Sequence, residues 1–452
     1  MGKIKKVKNA IIMGAAGRDF HNFLTYFKTN RNYNVVAFTA AQIPYIERRI
    51  FPKEIAGKRY PRGIPIFPEE KLSELIKNLE VDKVYLSYSD LSNQEVMEKA
   101  ALVIANGADF SLLGANATML KSKKPVVAVT AVRTGAGKSP TTRTVAKLLR
   151  RKGLRVVILR HPMPYGILKK EIVQRFSKLE DLEKQNCTFE EREEYEPHLL
   201  NGFVVYAGVD YAKILEAAEK EADVILWDGG NNDLPFVKSD LHICVADARR
   251  PGHEVSYYPG FSNLMMANVV IINKVKTAKK SDIRIIEENV RRFNKKAVIV
   301  KADMTKFVDR PDLIRKKRVL VIEDGPTLTH GGMSFGAGIL TAQMYGSKII
   351  DPRKYAVGSI KDIYKRYGHI GKLLPAMGYG KKQIRELEKT INRTKCDAVI
   401  IATPLDLRRL IRINKPAVKV NYELEEIEGP SLHGILNVFV RVMRLNKIKN
   451  RK

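Results

Sequence analysis

Residues 125–146 read Pro-Val-Val-Ala-Val-Thr-Ala-Val-Arg-Thr-Gly-Ala-Gly-Lys-Ser-Pro-Thr-Thr-Arg-Thr-Val-Ala, and they give the strongest indication of the fold class. Its apolar run 126–132 predicts a buried parallel strand, and the pattern from Pro140 onward predicts a helix. A glycine-rich turn, Lys138 and Ser139 lie between them. Glycines let backbone N–H groups converge on phosphate oxygens, while the lysine can reach the β- and γ-phosphates and the serine can hold Mg²⁺. The stretch therefore predicts a nucleotide-binding P-loop in an α/β fold.

The loop departs from the usual P-loop at one position, because Val132 stands where that pattern has its first glycine. Its spacing matches the deviant pattern Lys-Gly-Gly-x-Gly-Lys-Ser/Thr, with Arg133 in place of the signature lysine. Such a lysine reaches the nucleotide of a neighbouring subunit, so Arg133 predicts a homodimer if it acts likewise. The alternative is a glycine-rich turn with an incidental Lys-Ser pair. The predicted nucleotide-binding residues of the loop are Arg133, Thr134, Gly135, Ala136, Gly137, Lys138 and Ser139.

Length and charge limit the class of protein and of partner. A chain of 452 residues should hold about three domains of ~150 residues each. The net charge of +31 favours polyanionic partners. Because the basic residues are dispersed and show no RNA-binding motif, a small phosphorylated substrate ranks above nucleic acid, which is not excluded. No apolar stretch approaches the ~20 residues that span a bilayer, so we expect no membrane association and a cytoplasmic location.

The pattern of strands and helices predicts three α/β domains, at 1–121, 122–316 and 317–452. The first is predicted to be Rossmann-like, because strand 9–13, a turn from Gly14 to Gly17 and a helix precede a second strand. The turn lacks the first glycine of the dinucleotide fingerprint, and no acidic residue ends the second strand. It is therefore either a tight βα turn or a phosphate site made by helix N-terminal amides.

In the central domain, polar residues follow a strand predicted at 223–227. An apolar strand that ends in Asp228 within a P-loop domain is the expected Walker B element, whose carboxylate holds Mg²⁺ through water. Asn231, a little further on, is a candidate to orient substrate or water. The alternative for the whole segment is a simple strand-capping turn.

Further strand ends in this domain carry basic residues. Arg160 and His161 follow one strand, and Arg249 and Arg250 follow another, where open α/β sheets place anionic ligands. A later strand ends in Asn273-Lys274-Val275-Lys276, where GTPases have Asn-Lys-x-Asp. Lysine cannot accept hydrogen bonds from guanine, so the residues favour ATP and leave GTP open. Lys274 is predicted to cover the purine and Asn273 to brace the loop.

Two acid-bearing segments complete the candidate regions. Residues 171–197 are predicted to be helical and carry nine acidic residues, which suit a solvated lid or insert better than a metal site. In the third domain, strand 318–322 runs into Glu323-Asp-Gly-Pro-Thr-Leu-Thr-His-Gly-Gly. That segment predicts a site for a polar ligand or metal, although a turn of small residues remains the alternative. Its candidate residues are Asp324, Thr327, His330 and Gly331.

Together, the motifs at 228–232, 247–254, 273–274 and 323–332 resemble those of archaeal predicted P-loop GTPases and cyclic 2,3-diphosphoglycerate synthetase-like proteins. The resemblance implies a central P-loop domain of the SIMIBI type, which includes signal-recognition, MinD and BioD proteins, with a mostly parallel sheet. For the synthetases it implies ATP-driven closure of 2,3-diphosphoglycerate into a cyclic phosphoanhydride, with release of ADP and phosphate.

That chemistry assigns roles to the candidate residues. Mg²⁺ on Ser139 and Asp228 would screen the repulsion between phosphates. The predicted catalytic residues are Lys138, Asp228, Arg249 and Arg250, and the predicted substrate-binding residues are Arg160, His161, Asn231, Asp324, Thr327, His330 and Gly331. Two other classes remain open: an amidoligase or small-metabolite kinase, and a GTPase switch that acts as a chaperone or RNA-associated factor without a small-molecule product.

Overall fold

A computed structural model gives the fold and describes residues 7–15, 17–40, 49–161, 166–329, 333–377 and 381–449. The strands are β1 Lys8–Met13, β2 Tyr33–Ala40, β3 Ile50–Phe51, β4 Ile64–Pro68, β5 Lys83–Leu86, β6 Leu91–Ser92, β7 Asp109–Leu112, β8 Val126–Ala131, β9 Val156–Arg160, β10 Gln174–Phe176, β11 Val204–Ala207, β12 Val224–Asp228, β13 Leu241–Asp247, β14 Tyr257–Tyr258, β15 Val269–Asn273, β16 Val298–Val308, β17 Arg318–Asp324, β18 Lys348–Ile349, β19 Leu374–Ala376, β20 Ala398–Ala402 and β21 Ala417–Glu428.

The α-helices are α1 Arg18–Asn22, α2 Lys53–Ala56, α3 Leu72–Asn78, α4 Asn93–Ala105, α5 Ala115–Thr118, α6 Lys138–Arg151, α7 Leu179–Lys184, α8 Phe189–Leu199, α9 Tyr211–Glu221, α10 His253–Ser256, α11 Gly260–Met266, α12 Lys280–Phe293, α13 Gly325–Thr329, α14 Ala337–Met344, α15 Ser359–Arg366, α16 Lys381–Arg393 and α17 Leu432–Lys449. A π-helical segment, Phe23–Phe27, continues α1. No helix in the described part of the chain is long and apolar enough to cross a membrane.

The N-terminal part forms a six-stranded sheet in the order β3-β4-β2-β1-β5-β7. The turn after β1 is closed by Asp19, whose Oδ1 accepts hydrogen bonds from the backbone N–H of Gly17 at 3.0 Å and of Phe20 at 2.7 Å. A side chain of the protein therefore occupies the place that an anion would take at this helix N-terminus. The geometry supports the tight βα turn of the two interpretations left open by the sequence.

The P-loop strand lies inside a second, larger sheet of mostly parallel strands. Its order is β10-β11-β9-β12-β8-β13-β15-β16-β21-β20-β17-β18, with β19 also paired to β17. All residues of β8 and β12 are buried. Strands covered on both faces are near-continuous apolar runs, which is why the sequence signal for these strands was strong. The predicted α/β class with a mostly parallel sheet is confirmed.

A long antiparallel ladder joins the two halves of this sheet. The first residues of β16 pair in parallel with β15, and the following ones pair with β21, whose N-terminal residues in turn pair with β20. The strands on the two sides of the ladder therefore run in opposite directions and are offset along it. As a result, the carboxyl ends of β17 and β20 face those of β8 and β12 across a cavity. Since strands from both sides of residue 316 share one sheet, the domain division at that residue stays a proposal.

The acidic segment differs from the prediction. Residues 171–197 contain strand β10 and helices α7 and α8 rather than one continuous helical stretch. The segment is not a solvated insert, because Glu190, Glu191, Glu193 and Glu196 are all buried. A carboxylate is tolerated in the interior when polar partners meet it. Glu191 has such a partner nearby in the sequence, but Glu193 and Glu196 contact residues after 400, which a local charge pattern does not reveal.

Candidate active site

The P-loop has the backbone geometry that a phosphate cradle requires. Gly135 and Gly137 have φ values of 80° and 109°, in the left-handed region that favours glycine. A Cβ at Gly137 would lie 2.1 Å from Nδ2 of Asn273, so no other residue fits there without movement. Helix α6 begins at Lys138, and its free N–H groups point toward the loop. The loop thus fits a nucleoside triphosphate, through its glycine turn, the helix N-terminus, Lys138 and Ser139.

Side chains from β13 and β15 hold the loop in place. Asn273 donates from Nδ2 to the carbonyl of Ala136 at 2.7 Å, as the sequence predicted for a bracing residue. The Lys274 ammonium donates to the carbonyl of Gly135 at 2.7 Å and pairs with Asp247 at 2.6 Å. These contacts fix the loop before a ligand arrives, which lowers the ordering cost of binding. The predicted contact of Lys274 with the purine stays a prediction.

Arg250 is a correction to the sequence analysis, which placed it among the catalytic residues. Its guanidinium pairs with Asp247 at 3.0 Å and donates to the carbonyl of Thr134 at 2.7 Å. It is absent from the described lining of the cavity. Arg249 lines the cavity, whereas Arg250 braces the loop.

Asp228 lies at the centre of a buried charge cluster beneath the loop. Its Oδ1 accepts from the Lys138 ammonium at 2.6 Å and from the Thr142 hydroxyl at 3.1 Å, and the Arg160 guanidinium lies 3.1 Å from the same atom. Its Oδ2 lies 2.9 Å from Nε2 of His198. Burial alone would raise the pKa of Asp228, but Lys138 and Arg160 hold it well below its ordinary value. The carboxylate is therefore charged, and Nε2 of His198 must carry the proton of that hydrogen bond.

The cations and the histidine of this cluster are also shifted. Burial and repulsion from Arg160 lower the pKa of Lys138 to about 8. Burial also lowers the pKa of His198, which keeps the imidazole neutral. A neutral imidazole that donates from Nε2 keeps an unprotonated Nδ1, and that atom is buried without a hydrogen-bond partner.

One cavity of about 230 Å³ connects the P-loop with the C-terminal half of the sheet. It collects most of the predicted residues that the structure describes. From the central part they are Arg133, Thr134, Gly135, Gly137, Lys138, Ser139, Arg160, Asn231, Arg249 and Lys274, and from the C-terminal part Asp324. Of Thr327 only the backbone is described, within α13, and His330 and Gly331 lie outside the described residues.

Carboxylates form a second wall of this cavity, to which Glu193, Glu194, Glu323 and Asp324 contribute. Glu323, the penultimate residue of β17, accepts at Oε1 from the backbone N–H of Gly338 at 2.7 Å, at the N-terminus of α14. Burial raises its pKa to about 8. Burial and repulsion from Asp324 raise the pKa of Glu193 well above its ordinary value. Burial thus favours the protonated forms of Glu193 and Glu323, and a cationic ligand beside them would favour the ionised forms.

Several residues of this site were not predicted from the sequence. Arg143, Glu193, Glu194, His198 and Tyr422 all line the cavity without having been proposed. A signal existed for Arg143, because it follows Ser139 by four residues and must share its face of α6. No comparable signal existed for the residues of α8, since only the long-range fold brings them to the loop.

His161 is a second correction, because it was predicted to bind substrate. Its Nε2 lies 3.2 Å from Asp233, and its ring packs against Phe236. Arg18, the first residue of α1, joins the same group by pairing with Asp233. Burial lowers the pKa of His161. Since adjacent strand residues point to opposite faces, Arg160 reaches the cavity and His161 joins the packing between the sheets.

Arg133 is engaged within its own chain. Its Nε lies 3.1 Å from Oδ1 of Asp90, and its guanidinium lies 3.7 Å from the centre of the Tyr257 ring. Both partners belong to segments that pack beside the P-loop. This arrangement gives Arg133 an intramolecular role, and a homodimer stays a prediction.

The residues also fit Mg²⁺ beside a bound triphosphate. Ser139 lines the cavity and Asp228 lies directly below it. In the described part of the chain no cluster of three or more His, Cys, Asp or Glu side chains is arranged as a metal site. A P-loop supplies few protein ligands and completes the octahedral shell of Mg²⁺ with phosphate oxygens and water.

Comparisons with known proteins place the chain in a family. No family model matches it. Among solved structures, LpxK from Aquifex aeolicus in complex with ATP is 15% identical, with 82% of this chain and 99% of that chain covered and a TM-score of 0.42. A ParA family ATPase from Chlorobium tepidum is 15% identical, with 39% and 82% covered and a TM-score of 0.23. At such low scores the fold assignment depends on the topology described above.

Full-length similarity comes from a curated relative. The protein named arginine synthetase ArcE from Thermococcus kodakarensis is 58% identical over 438 residues, which cover 97% of this chain and 98% of that protein. The resemblance to cyclic 2,3-diphosphoglycerate synthetase-like proteins is not confirmed by these comparisons. With this identity over nearly the whole of both chains, the protein belongs to the family of arginine synthetase ArcE.

Proposed function

We propose that this protein is an ATP-driven synthetase that forms arginine, the product in the name of its relative. The observation that carries the proposal is the pairing of two unlike walls in one cavity. The P-loop, Lys138 and Ser139 supply a site for a triphosphate, whereas Glu193 and Glu323 supply carboxylates within the same space. A reaction that uses ATP together with a cationic substrate or product needs one wall for the triphosphate and one wall for the cationic group.

The same wall argues against a polyanionic substrate. Among described residues after 317, the charged side chains that line the cavity are the carboxylates Glu323 and Asp324. In their ionised forms these carboxylates would repel a second set of phosphates beside those of ATP. A guanidinium group, by contrast, pairs with carboxylates in a planar, bidentate geometry. Ring closure of 2,3-diphosphoglycerate therefore stays a prediction from the resemblance, with less support from the charges of the site.

The chemistry of the product indicates the class of precursor. A guanidinium carbon bears three nitrogen atoms, so ATP can drive its formation from a ureido carbon, which bears two nitrogen atoms and one oxygen. In the proposed reaction the ureido oxygen takes the γ-phosphoryl group and ADP leaves. An amine nitrogen then attacks the carbon, the carbon–oxygen bond breaks and phosphate departs. The nitrogen gives up its surplus protons to solvent or a neighbouring base.

Residues of the chain have defined tasks in this scheme. Lys138 and Arg249 would neutralise charge on the transferred phosphoryl group, and Arg160 would hold Asp228 in position. Ser139 and Asp228 would hold Mg²⁺, which supplies charge neutralisation on the phosphates when bound. No covalent protein intermediate is needed, because the amine is itself the nucleophile.

Base preference is proposed to favour ATP. Lys276 stands where a GTPase has its guanine-binding carboxylate, and its ammonium pairs with Glu425 at 2.6 Å. A lysine in this position offers guanine no acceptor. As a GTPase switch, this protein would thus lack the residue that selects guanine.

The direct test is product analysis with the purified protein. Incubation with ATP, Mg²⁺, ammonium and citrulline, the ureido analogue of arginine, should yield arginine, ADP and phosphate in equal amounts. Parallel incubations replace citrulline with 2,3-diphosphoglycerate, or ATP with GTP. Lys138→Ala serves as the inactive control, with its folding checked by thermal unfolding.

The parallel incubations separate the remaining functions. ADP formed only with 2,3-diphosphoglycerate would replace the arginine proposal with the cyclisation. Slow hydrolysis specific for GTP, without a small-molecule product, would support the switch. Arginine formation that requires both citrulline and ammonium supports the proposed reaction.

A further inference from the structure

Arg143 occupies a position between two cavities. It lies one turn after Ser139 on α6 and lines the cavity that contains the P-loop. It also lines an adjoining cleft of about 350 Å³, which residues 133–139 of the loop do not reach. Tyr422 of β21 lines both spaces as well. The Arg143 guanidinium is thus placed where the phosphate end of the site meets the C-terminal half.

Arg143 differs from the other cations of the cavity because no residue that the structure describes pairs with it. Within the described residues it makes no hydrogen bond and no ion pair. The other cavity-lining cations each have a hydrogen bond or an ion pair, and they are Arg133, Lys138, Arg160, Arg249, Lys274 and Lys306. An unpaired guanidinium in a largely enclosed space is costly unless an anion joins it.

Burial acts on Arg143 in the direction expected for such a position. It lowers the pKa of the guanidinium from its ordinary value, and interactions with Tyr422, Asp228 and Glu423 offset this only in part. The guanidinium still stays protonated, because arginine does not lose its proton in proteins. The position therefore holds a permanent charge that makes no ion pair with any side chain in the described part of the chain.

We propose that Arg143 binds the α-carboxylate of the amino-acid substrate and product, and so selects amino acids over amines. This inference rests on the proposed function. A carboxylate fits the planar fork of a guanidinium with two parallel hydrogen bonds. The guanidinium group of the product would then extend to Glu193 and Glu323, on the carboxylate wall of the same cavity. Phosphate binding does not require Arg143, since the loop amides and Lys138 already serve that end.

The test compares the binding of two ligands that differ by one group. Arginine and agmatine share the guanidinium group, but agmatine lacks the carboxylate. Calorimetric titration of the full-length wild-type protein should show tighter binding of arginine. Arg143→Gln should lower the affinity for arginine by about tenfold or more, because one charge-assisted bidentate contact is lost. The affinity for agmatine should stay nearly unchanged. Arg143→Lys should restore part of the preference.

Controls keep the outcomes separate. Arg151→Gln removes an exposed arginine from the end of the same helix and should bind both ligands like the wild type. The ATP affinity of each variant reports an intact P-loop. If Arg143→Gln keeps the preference for arginine, or lowers the affinity for ATP instead, Arg143 does not bind the α-carboxylate and the proposed function stands. If the wild type binds neither arginine nor agmatine, both the inference and the proposed function fall.

Discussion

His198 donates from Nε2 to Oδ2 of Asp228 across 2.9 Å, and both side chains are almost completely buried beside the P-loop. The histidine comes from α8 and the aspartate from the end of β12, so the bond joins the acid-rich helix to the Walker B strand. Because Lys138 binds the other carboxylate oxygen, His198 orients the anion that positions the phosphate-binding lysine.

Removal of that bond should affect both stability and catalysis. We expect His198→Ala to lower the free energy of unfolding by about 2 kcal/mol, because a hydrogen bond to a charged group is lost in the interior. We also expect kcat for ATP-dependent arginine formation to fall more than the KM for ATP rises, since the P-loop amides are untouched. Denaturant unfolding and steady-state kinetics measure the two effects.

The matched control for this change is His433→Ala, because His433 is exposed near the start of α17. It should leave stability and kinetics at wild-type values. An equal loss of kcat in both variants would contradict a specific role for the His198–Asp228 bond.

A second prediction concerns the loop glycine that approaches Asn273. Gly137→Ala combines a positive φ with a Cβ placed 2.1 Å from Nδ2 of Asn273, so the loop must shift. We expect ATP to bind about 10- to 100-fold more weakly, on the scale of the strain introduced. Calorimetric titration with ATP measures the change.

Gly153→Ala separates backbone strain from the close contact. Gly153 has a φ of 77° but no atom within 4 Å of the position of its Cβ. That variant should lose some stability and keep the ATP affinity of the wild type. If both variants bind ATP normally, the rigid bracing of the loop by Asn273 is not needed for nucleotide binding.

The residues show which parts of this site a sequence can reveal. Lys138, Ser139 and Asp228 were predictable because each follows an apolar strand at the edge where parallel strands place their ligands. Glu193 was not, because a run of glutamates is the pattern of a solvated helix, and only its contact with Thr403 of a distant strand end explains its burial. His161 was misplaced because neighbouring residues at a strand end were assigned to one face.

The C-terminal half shows the same limit at the level of topology. Strand β17 was predicted correctly, but nothing local to Glu323 shows that its carboxyl end faces the P-loop. That arrangement depends on the antiparallel ladder of β16 and β21, and neither the length of β16 nor its partner was apparent from hydrophobic periodicity.

A third prediction uses the raised pKa of Glu323. Its folded-state pKa of about 8 lies above its ordinary value of 4.5, so the folded state binds this proton more tightly than the unfolded state. Its stabilising contribution is therefore complete below the ordinary value and is lost as the pH rises toward about 8. We expect Glu323→Gln, which cannot ionise and still accepts from Gly338, to be more stable than the wild type in mildly alkaline solution.

Thermal unfolding of both proteins between about pH 5 and about pH 9 gives the difference curve. The excess stability of the variant over the wild type should grow with pH. Saturating arginine should reduce this difference, because it pairs with the carboxylate of the wild type. A constant difference across the range would mean that Glu323 does not titrate within it.

The last prediction concerns whether Arg133 acts within one chain or across a dimer. Arg133 pairs with Asp90 at 3.1 Å and stacks on Tyr257, and both contacts are intramolecular. We therefore expect Arg133→Ala to lower activity, and we expect no recovery when this variant is mixed with another inactive variant.

The test mixes Arg133→Ala with Lys138→Ala, partially unfolds and refolds the two proteins together, and then measures ATP-dependent product formation. If an arginine completed the site of a neighbouring subunit, hybrid dimers would carry one intact site formed from the lysine of one chain and the arginine of the other. Such recovery would require Arg133 to leave Asp90, and would establish the dimer as the active form. Activity that stays at the level of the separate variants, with wild-type protein refolded in parallel recovering its own, is the outcome that the Arg133–Asp90 pair predicts.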